Sequence, residues 1–290
     1  MLSETTVAQY QREGYCVCPA LLTPAEVKEL LADLDAICAG STLAAHDQTR
    51  MEMEPDQGPQ GTSVRRVYEP CTHYPRFRAL SESSAVLDAV EQLLGPDLLF
   101  HYSKINMKPA RIGSVVEWHQ DLAYFPLTNP GSVAVLFYLD DADTATGCLQ
   151  VIPSAPGQPL KDHTRAGLFQ GRITESVDES PAVPLEGKAG TAIFLRCMTP
   201  HASKPNTSPR PRRTLILGYR AADAFPIFTG DMTVAGESYV RVVRGQSRNT
   251  ARFEFPELPI PRYSHLTSSL YDLQERSRKD ATRPTKPDAS

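Results

Sequence analysis

Ala134-Val135-Leu136-Phe137-Tyr138-Leu139 is apolar at every position. A short run of this kind, rich in β-branched and aromatic residues, reads as a strand in the middle of a sheet or sandwich. Asp140-Asp141-Ala142-Asp143 ends it. Those acids have the chemistry to hold calcium, but a solvated acidic turn is the preferred reading. Gly147-Cys148-Leu149-Gln150-Val151-Ile152-Pro153 follows as the next strand and turn. Further strands are expected over 98–107, 132–139, 191–195 and 214–219, separated by Pro, Gly or Asp. A short apolar strand falls within 14–21.

The remainder flanks this β pattern. Thr23-Pro24-Ala25-Glu26 starts a helix: Thr23 caps, Pro24 suits the first turn, and Glu26 completes a capping box. Val27, Leu30, Leu31 and Leu34 continue at helical spacing, and Cys38-Ala39-Gly40 ends it. A second helix spans 84–94, with Val86, Leu87, Val90 and Leu94 inward and Gly95 as terminator. Both should pack outside a sheet. Polar, Pro- and Gly-rich residues 41–63 and 155–188 read as long loop insertions. A terminal helix is expected over 262–279, around Leu266, Leu270 and Leu273, and 279–290 reads as a disordered tail. The expectation is one domain over 1–278, an all-β core with flanking helices.

Composition narrows the function. The chain has 290 residues, 41% of them hydrophobic, a formal net charge of -4 and a pI near 6.0. That balance offers no general attraction to nucleic acid or to an anionic membrane. The 25 prolines and 17 glycines suit a turn-rich protein. The six cysteines lack zinc-finger spacing and read as free thiols of a reducing compartment, so a cytoplasmic location is expected. The start of the chain reads as no secretory signal, and no apolar run approaches the roughly 20 residues needed to cross a bilayer.

Upstream of the central strand stands Trp118-His119-Gln120-Asp121. On a strand, residues i and i+2 face one side, so His119 and Asp121 can reach one ion. His201 lies at the end of a later apolar run. Two histidines and a carboxylate form the facial ligand set of non-haem Fe(II) oxygenases, which leaves positions open for O2 and a co-substrate. Zn, Mn, Co and Ni are the alternative metals, and an ordinary salt-bridged role is the plain alternative for His119 and Asp121. Such an oxygenase needs two electrons, which 2-oxoglutarate provides on decarboxylation. Its distal carboxylate calls for a planar, permanently charged anchor. Arg212 and Arg213 open the strand over 214–219, and alternation should turn one of them inward.

Three stretches carry a specific resemblance: Trp118 to Pro126, Gly147 to Pro153, and His201-Ala202-Ser203 followed by Asn206, Arg212, Arg213 and Tyr219-Arg220-Ala221-Ala222-Asp223. Together they resemble the phytanoyl-CoA hydroxylase (PhyH-like) family of Fe(II)/2-oxoglutarate dioxygenases, over residues 10 to 228. Ala202 stands where that family usually has Gly. The resemblance implies a double-stranded β-helix, a cupin-like jelly roll with the metal at one open end. It implies His119, Asp121 and His201 as iron ligands and Arg212 as the anchor, with Arg213 second. It implies Gln120, Ser203, Met107 and Phe137 as co-substrate pocket positions, Phe137 packing over the co-substrate chain. Tyr102, Asn106, Lys108, Trp118, Tyr124, Phe125 and Phe169 are weaker co-substrate or substrate candidates. The implied cofactor is Fe(II), with 2-oxoglutarate and O2 as co-substrates.

The expected reaction is hydroxylation of an unactivated C–H bond in a small metabolite, releasing succinate and CO2. Because Asp121 is present, no ligand position opens for a halide, which sets chlorination aside. Desaturation, cyclisation and epoxidation use the same residues and stay open. So does an acyl-CoA substrate, for which Lys104, Lys108, Arg111, Lys161, Arg165 and Arg172 are the scattered candidate cations. A catalytically silent jelly-roll binder is the reading from another class. The aromatic residues around the motif favour a partly apolar small molecule; no basic–aromatic track for nucleic acid is visible. A monomer or homodimer is expected, with segments 41–63 and 155–188 as lids that set specificity.

Overall fold

The computed structural model describes residues 1–112, 114–227, 239–260 and 270–282. In chain order these carry α1 (Glu4–Glu13), β1 (Tyr15–Cys18), α2 (Pro24–Cys38), β2 (Met51–Met53), β3 (Val64–Tyr68), α3 (Pro70–His73), α4 (Pro75–Ser81) and α5 (Ser84–Leu94). Then come β4 (Leu98–Lys108), β5 (Val116–His119), a 3-10 turn (Asp121–Ala123), β6 (Ser132–Tyr138), β7 (Leu149–Val151), β8 (Thr164–Arg165) and β9 (Leu168–Phe169). Last are β10 (Val183–Leu185), β11 (Ala192–Arg196), β12 (His201–Ser203), β13 (Arg212–Ala221), β14 (Arg241–Arg244) and α6 (Leu270–Thr282).

Eight strands form one antiparallel sheet in the order β1-β11-β6-β13-β4-β3-β2, with β14 also on β4. Four form a second sheet, β10-β7-β12-β5, and β8 and β9 make a small hairpin. The two larger sheets meet through Ala134, Leu136, Ile193 and Leu195 on one side and Leu149, Val151 and Leu185 on the other. The opposite face of the eight-stranded sheet is covered by helices: Val135, Phe137, Phe194, Leu215 and Leu217 pack in one cluster with Val27, Leu30, Leu34, Val86 and Val90. The protein is thus a mixed α/β fold of antiparallel sheets with flanking helices. No ladder closes the two sheets into a barrel among the described residues.

The sequence signals act as expected in α2 and α5. Thr23 and Glu26 form the reciprocal capping box of α2, and Gly95, at φ 96°, caps α5. The acidic turn after β6 is consumed by ion pairs: Asp140 with Arg213, Asp141 with Lys188, and Asp143 with Arg210.

Other expectations are corrected. Residues 4–13 form a helix, capped by Ser3 and by Gly14 at φ 78°; their weak apolar content hid it. Segment 41–63 holds β2, which adds an edge strand beside β3, and segment 155–188 holds β8, β9 and β10. The terminal helix runs to Thr282, into the segment read as tail. Its buried positions are Tyr271, Gln274 and Ser277, spaced as one helical face. Leu273 is only half-buried. Leu266 and residues 283–290 lie outside the described residues.

Candidate active site

The site begins with a strand register. His119 ends β5 and His201 begins β12, and the two are direct partners in the four-stranded sheet. Their rings stand 4.0 Å apart, centroid to centroid. Gln120 is extended (φ -120°, ψ 130°), so Asp121, although it already belongs to the 3-10 turn, returns to the side of His119. Asp121 Oδ1 lies 3.8 Å from His119 Nε2 and 3.7 Å from His201 Nε2. All three ligand atoms fall within 4.8 Å of one another, and all three residues are buried.

The local hydrogen bonds fix the tautomers. His119 Nδ1 lies 2.8 Å from the Glu117 carbonyl and His201 Nδ1 lies 3.0 Å from the Thr199 carbonyl. A carbonyl only accepts, so each Nδ1 carries the proton and each Nε2 turns a lone pair inward. Burial lowers both imidazole pKa values, foremost among their causes, and keeps the rings neutral. Two lone pairs and a carboxylate therefore converge at distances too long for hydrogen bonds. A divalent cation resolves that convergence, and the N,N,O donor set suits Fe(II).

The triad opens into a narrow cavity between the two larger sheets. Its far wall is built by the eight-stranded sheet. Along β4, Tyr102, Lys104, Asn106 and Lys108 alternate onto the cavity face. In register across β13 stand Gly218, Ile216, Thr214 and Arg212. Gly218 leaves room for the Tyr102 ring: a Cβ there would lie 2.3 Å from that ring's Cε1. On β3, Arg66 faces Asn106, whose Oδ1 accepts from Arg66 Nε at 3.0 Å.

Arg212 is buried. Its Nη1 donates to Thr214 Oγ1 at 2.7 Å and its Nη2 to the Gly147 carbonyl at 2.8 Å, while Nε has no partner. No carboxylate pairs with it among the described residues, and burial draws its pKa downward. Lys108, opposite it, donates to the carbonyls of Ser114 and Lys204. A buried guanidinium without a counter-ion is costly, and a bound carboxylate relieves it.

The other sequence candidates fall in several places. Ser203 and Asn106 line the cavity. Phe137 and Met107 do not: each belongs to the opposite face of its strand, Phe137 within the helix-side core and Met107 packed against it. The aromatic residue of β6 on the cavity wall is Tyr138, whose hydroxyl donates to the Leu185 carbonyl at 2.8 Å. Arg213 also faces away, bound to Asp140 through Nε and Nη2 at 2.8 and 2.7 Å. Gln120 is buried off the cavity, bridging the Met198 carbonyl and the Lys161 amide.

Trp118 packs on Ile173 and Ala202. Tyr124 sets its ring 5.3 Å from His119 and is backed by Phe169 at 4.8 Å. Phe125 lies 5.5 Å from Tyr102. Segment 155–188 thus braces the metal-bearing turn from behind, and neither it nor 41–63 supplies a cavity wall. The wall at the mouth is Tyr271 of α6, with Arg65 and Arg66 stacked 4.2 and 4.8 Å from its ring centre. Gln274 of the same helix accepts from the Glu117 amide at 3.1 Å and donates to the Gly171 carbonyl. Arg66, Thr214, Tyr138 and Tyr271 complete the wall with no local signal in the sequence, whereas the polar alternation along β4 marks the inner face of that strand.

This arrangement is that of a metal-dependent, non-haem oxygenase. Residues 10–214 match the family model for phytanoyl-CoA dioxygenase (PhyH). A probable alpha-ketoglutarate-dependent hypophosphite dioxygenase of Stutzerimonas stutzeri is 31% identical over 226 residues, covering 76% of this chain and 79% of that protein. The ectoine dioxygenase of Bordetella parapertussis is 26% identical over 243 residues, covering 77% and 76%. Among solved structures, EctD from S. alaskensis with 2-oxoglutarate and 5-hydroxyectoine superposes with a TM-score of 0.61 at 25% identity, covering 76% of this chain and 77% of that one. The non-heme monooxygenase ThoJ gives 0.66 at 23% identity, covering 95% and 93%.

The chain belongs to the phytanoyl-CoA dioxygenase (PhyH) family. It is an Fe(II)/2-oxoglutarate-dependent oxygenase of a small metabolite. No helix among the described residues is long and apolar enough to cross a membrane.

Proposed function

We propose that His119, Asp121 and His201 hold Fe(II), that Arg212, aided by Lys108, Thr214 and Ser203, holds 2-oxoglutarate, and that O2 is the second co-substrate. The observation that carries this is the pairing of two unmet demands in one cavity: three converging acceptors and, on the facing sheet, a buried guanidinium with no carboxylate among the described residues. Bound there, iron and 2-oxoglutarate supply the oxidising power, with release of succinate and CO2. The chain's own residues do the rest. The Glu117 and Thr199 carbonyls hold both imidazoles in the metal-binding tautomer. Arg212 stands presented by Thr214 and Gly147 before any ligand arrives, which lowers the ordering cost of binding. Tyr124 and Phe169 keep water from the outer edge of His119, and Tyr271 narrows the mouth. The two packed sheets make a double-stranded β-helix the reading of the fold.

The substrate is a small metabolite from which a hydrogen is removed. Hydroxylation is one outcome, but desaturation and cyclisation need no different residue: the product follows from how the substrate is held. Structures of the same fold include the carbocyclase SnoK, at a TM-score of 0.60, and the epimerase SnoN, at 0.65; the fold itself therefore does not favour hydroxylation. The test is succinate formation from 2-oxoglutarate with Fe(II), ascorbate and O2, in the presence of a fractionated metabolite extract. A gain of one oxygen marks hydroxylation, and a loss of two hydrogens marks desaturation or ring closure. Failure to bind 2-oxoglutarate under anaerobic conditions with Fe(II) refutes the proposal.

A further inference from the structure

Four cationic side chains line the cavity, Arg66, Lys104, Lys108 and Arg212, against the single carboxylate of Asp121. They form two groups. Lys108 and Arg212 are register partners at one end of the wall. Lys104 sits four residues away along β4, beside Tyr102, in the field of Asp121 and both histidines. Arg66 stands across from Asn106, between the two ends.

Lys104 makes no hydrogen bond or ion pair among the described residues; its Nζ lies 5.3 Å from the centre of the Tyr102 ring. Arg66 is buried, donates to Asn106, is stacked on Tyr271 and Tyr68, which with Glu52 favour its charge, and forms no ion pair with a carboxylate among the described residues. Burial and the nearby Arg66 guanidinium both disfavour the charge on Lys104. A wall that holds two like charges without a counter-ion is destabilising unless an anion completes it.

On the reading above, 2-oxoglutarate has one carboxylate at the metal and one at Arg212 and Lys108. That leaves Arg66 and Lys104 unmatched. We propose that they bind an oxyanion on the substrate, a carboxylate or a phosphorus oxyanion, close to the metal end of the cavity. The small space and the inward cations then select compact acids over neutral or cationic metabolites of the same size.

The test is direct binding, measured by anaerobic calorimetry on protein loaded with Fe(II) and 2-oxoglutarate. The probes are methylphosphonate, inorganic phosphate and propionate, with propionamide and propylamine as uncharged and cationic counterparts. Anions should bind, and the uncharged and cationic probes should bind at least about tenfold more weakly. Preference for methylphosphonate or for propionate identifies which oxyanion is meant. Lys104→Met and Arg66→Gln should each weaken the anion by about tenfold or more, while Lys104→Arg retains it and the 2-oxoglutarate affinity changes less than about threefold. The proposal is overturned if no anion binds, if propionamide binds as well as propionate, or if the variants weaken 2-oxoglutarate instead. A loaded complex that never shows its charge-transfer band refutes the iron/2-oxoglutarate reading itself, before any probe is added.

Discussion

Replacing Arg212 by Ala separates ligand binding from folding in an unusual way. In most buried ion pairs the arginine's partner is another residue, so truncation damages the fold. On the proposed reading the partner is the ligand: among the described residues Arg212 bonds only to Thr214 and the Gly147 carbonyl, and its Nε has no partner. Losing two neutral-acceptor hydrogen bonds costs about 1 kcal/mol each, and removing an uncompensated buried charge offsets part of that. The unfolding free energy of Arg212→Ala should therefore change by no more than about 1 kcal/mol. With 2-oxoglutarate the truncation leaves a buried carboxylate short of its partner, a loss of about 2–5 kcal/mol. Lys108 remains opposite and holds the effect to the lower half of that span, a Kd increase of about 30- to 300-fold. The assay is anaerobic titration of 2-oxoglutarate into Fe(II)-loaded protein, read from the visible charge-transfer band, beside urea unfolding of both proteins. Arg213→Ala is the control: its bonds to Asp140 lie on the outer face, so it should lower stability and leave the affinity unchanged. A large affinity loss in Arg213→Ala with a mild one in Arg212→Ala would refute the assignment.

Further outcomes follow from the same geometry. His119→Ala should abolish stoichiometric Fe(II) binding and the charge-transfer band while leaving the circular-dichroism spectrum unchanged; a retained band would show that the metal lies elsewhere. Phe137→Ala should destabilise the fold by about 3–5 kcal/mol in urea with little change in 2-oxoglutarate affinity, since Phe137 packs among the helix-side residues; the reverse pattern would return it to the cavity. Burial pushes the Glu69 carboxyl up from 4.5 to about 7. Its folded state therefore holds a proton that the unfolded state has released, so stability falls as pH rises from about 4.5 to about 7. Glu69→Gln should remove that decline, gaining about 3 kcal/mol on wild type between pH 4 and pH 8. Parallel stability curves for the two proteins would contradict the burial argument.

The parts of the site legible in the sequence are those with a local cause. His119 and Asp121 were readable because strand alternation places them together, and His201 because its apolar run ends on it. The misplacements have two physical origins. β6 is buried at all seven positions, so its pattern carries no record of which face meets the cavity, and nothing local tells Phe137 from Tyr138. Met107 is a different case, because its polar neighbours Asn106 and Lys108 do mark the inner face. Between Arg212 and Arg213 the pattern offered both, and partners distant in sequence, Asp140 for one and Gly147 for the other, make the choice. The role of α6 was hidden because the face it buries is polar: Gln274 and Ser277 are satisfied by Gly171 and Arg172, contacts that no periodicity announces.

The three converging acceptors lie on or beside the four-stranded sheet, whereas the cations belong to the eight-stranded one, and no backbone ladder joins the two layers among the described residues. Within each layer like groups repel one another: lone pairs on one side, positive charges on the other. On the proposed reading, an occupant that ligates metal at one end and meets a guanidinium at the other acts as a mortar between them. Such an occupant would add to the cohesion of the sandwich. Filling the cavity should slow amide exchange in β7 and β11, whose Leu149 and Leu195 line it and interlock between the sheets.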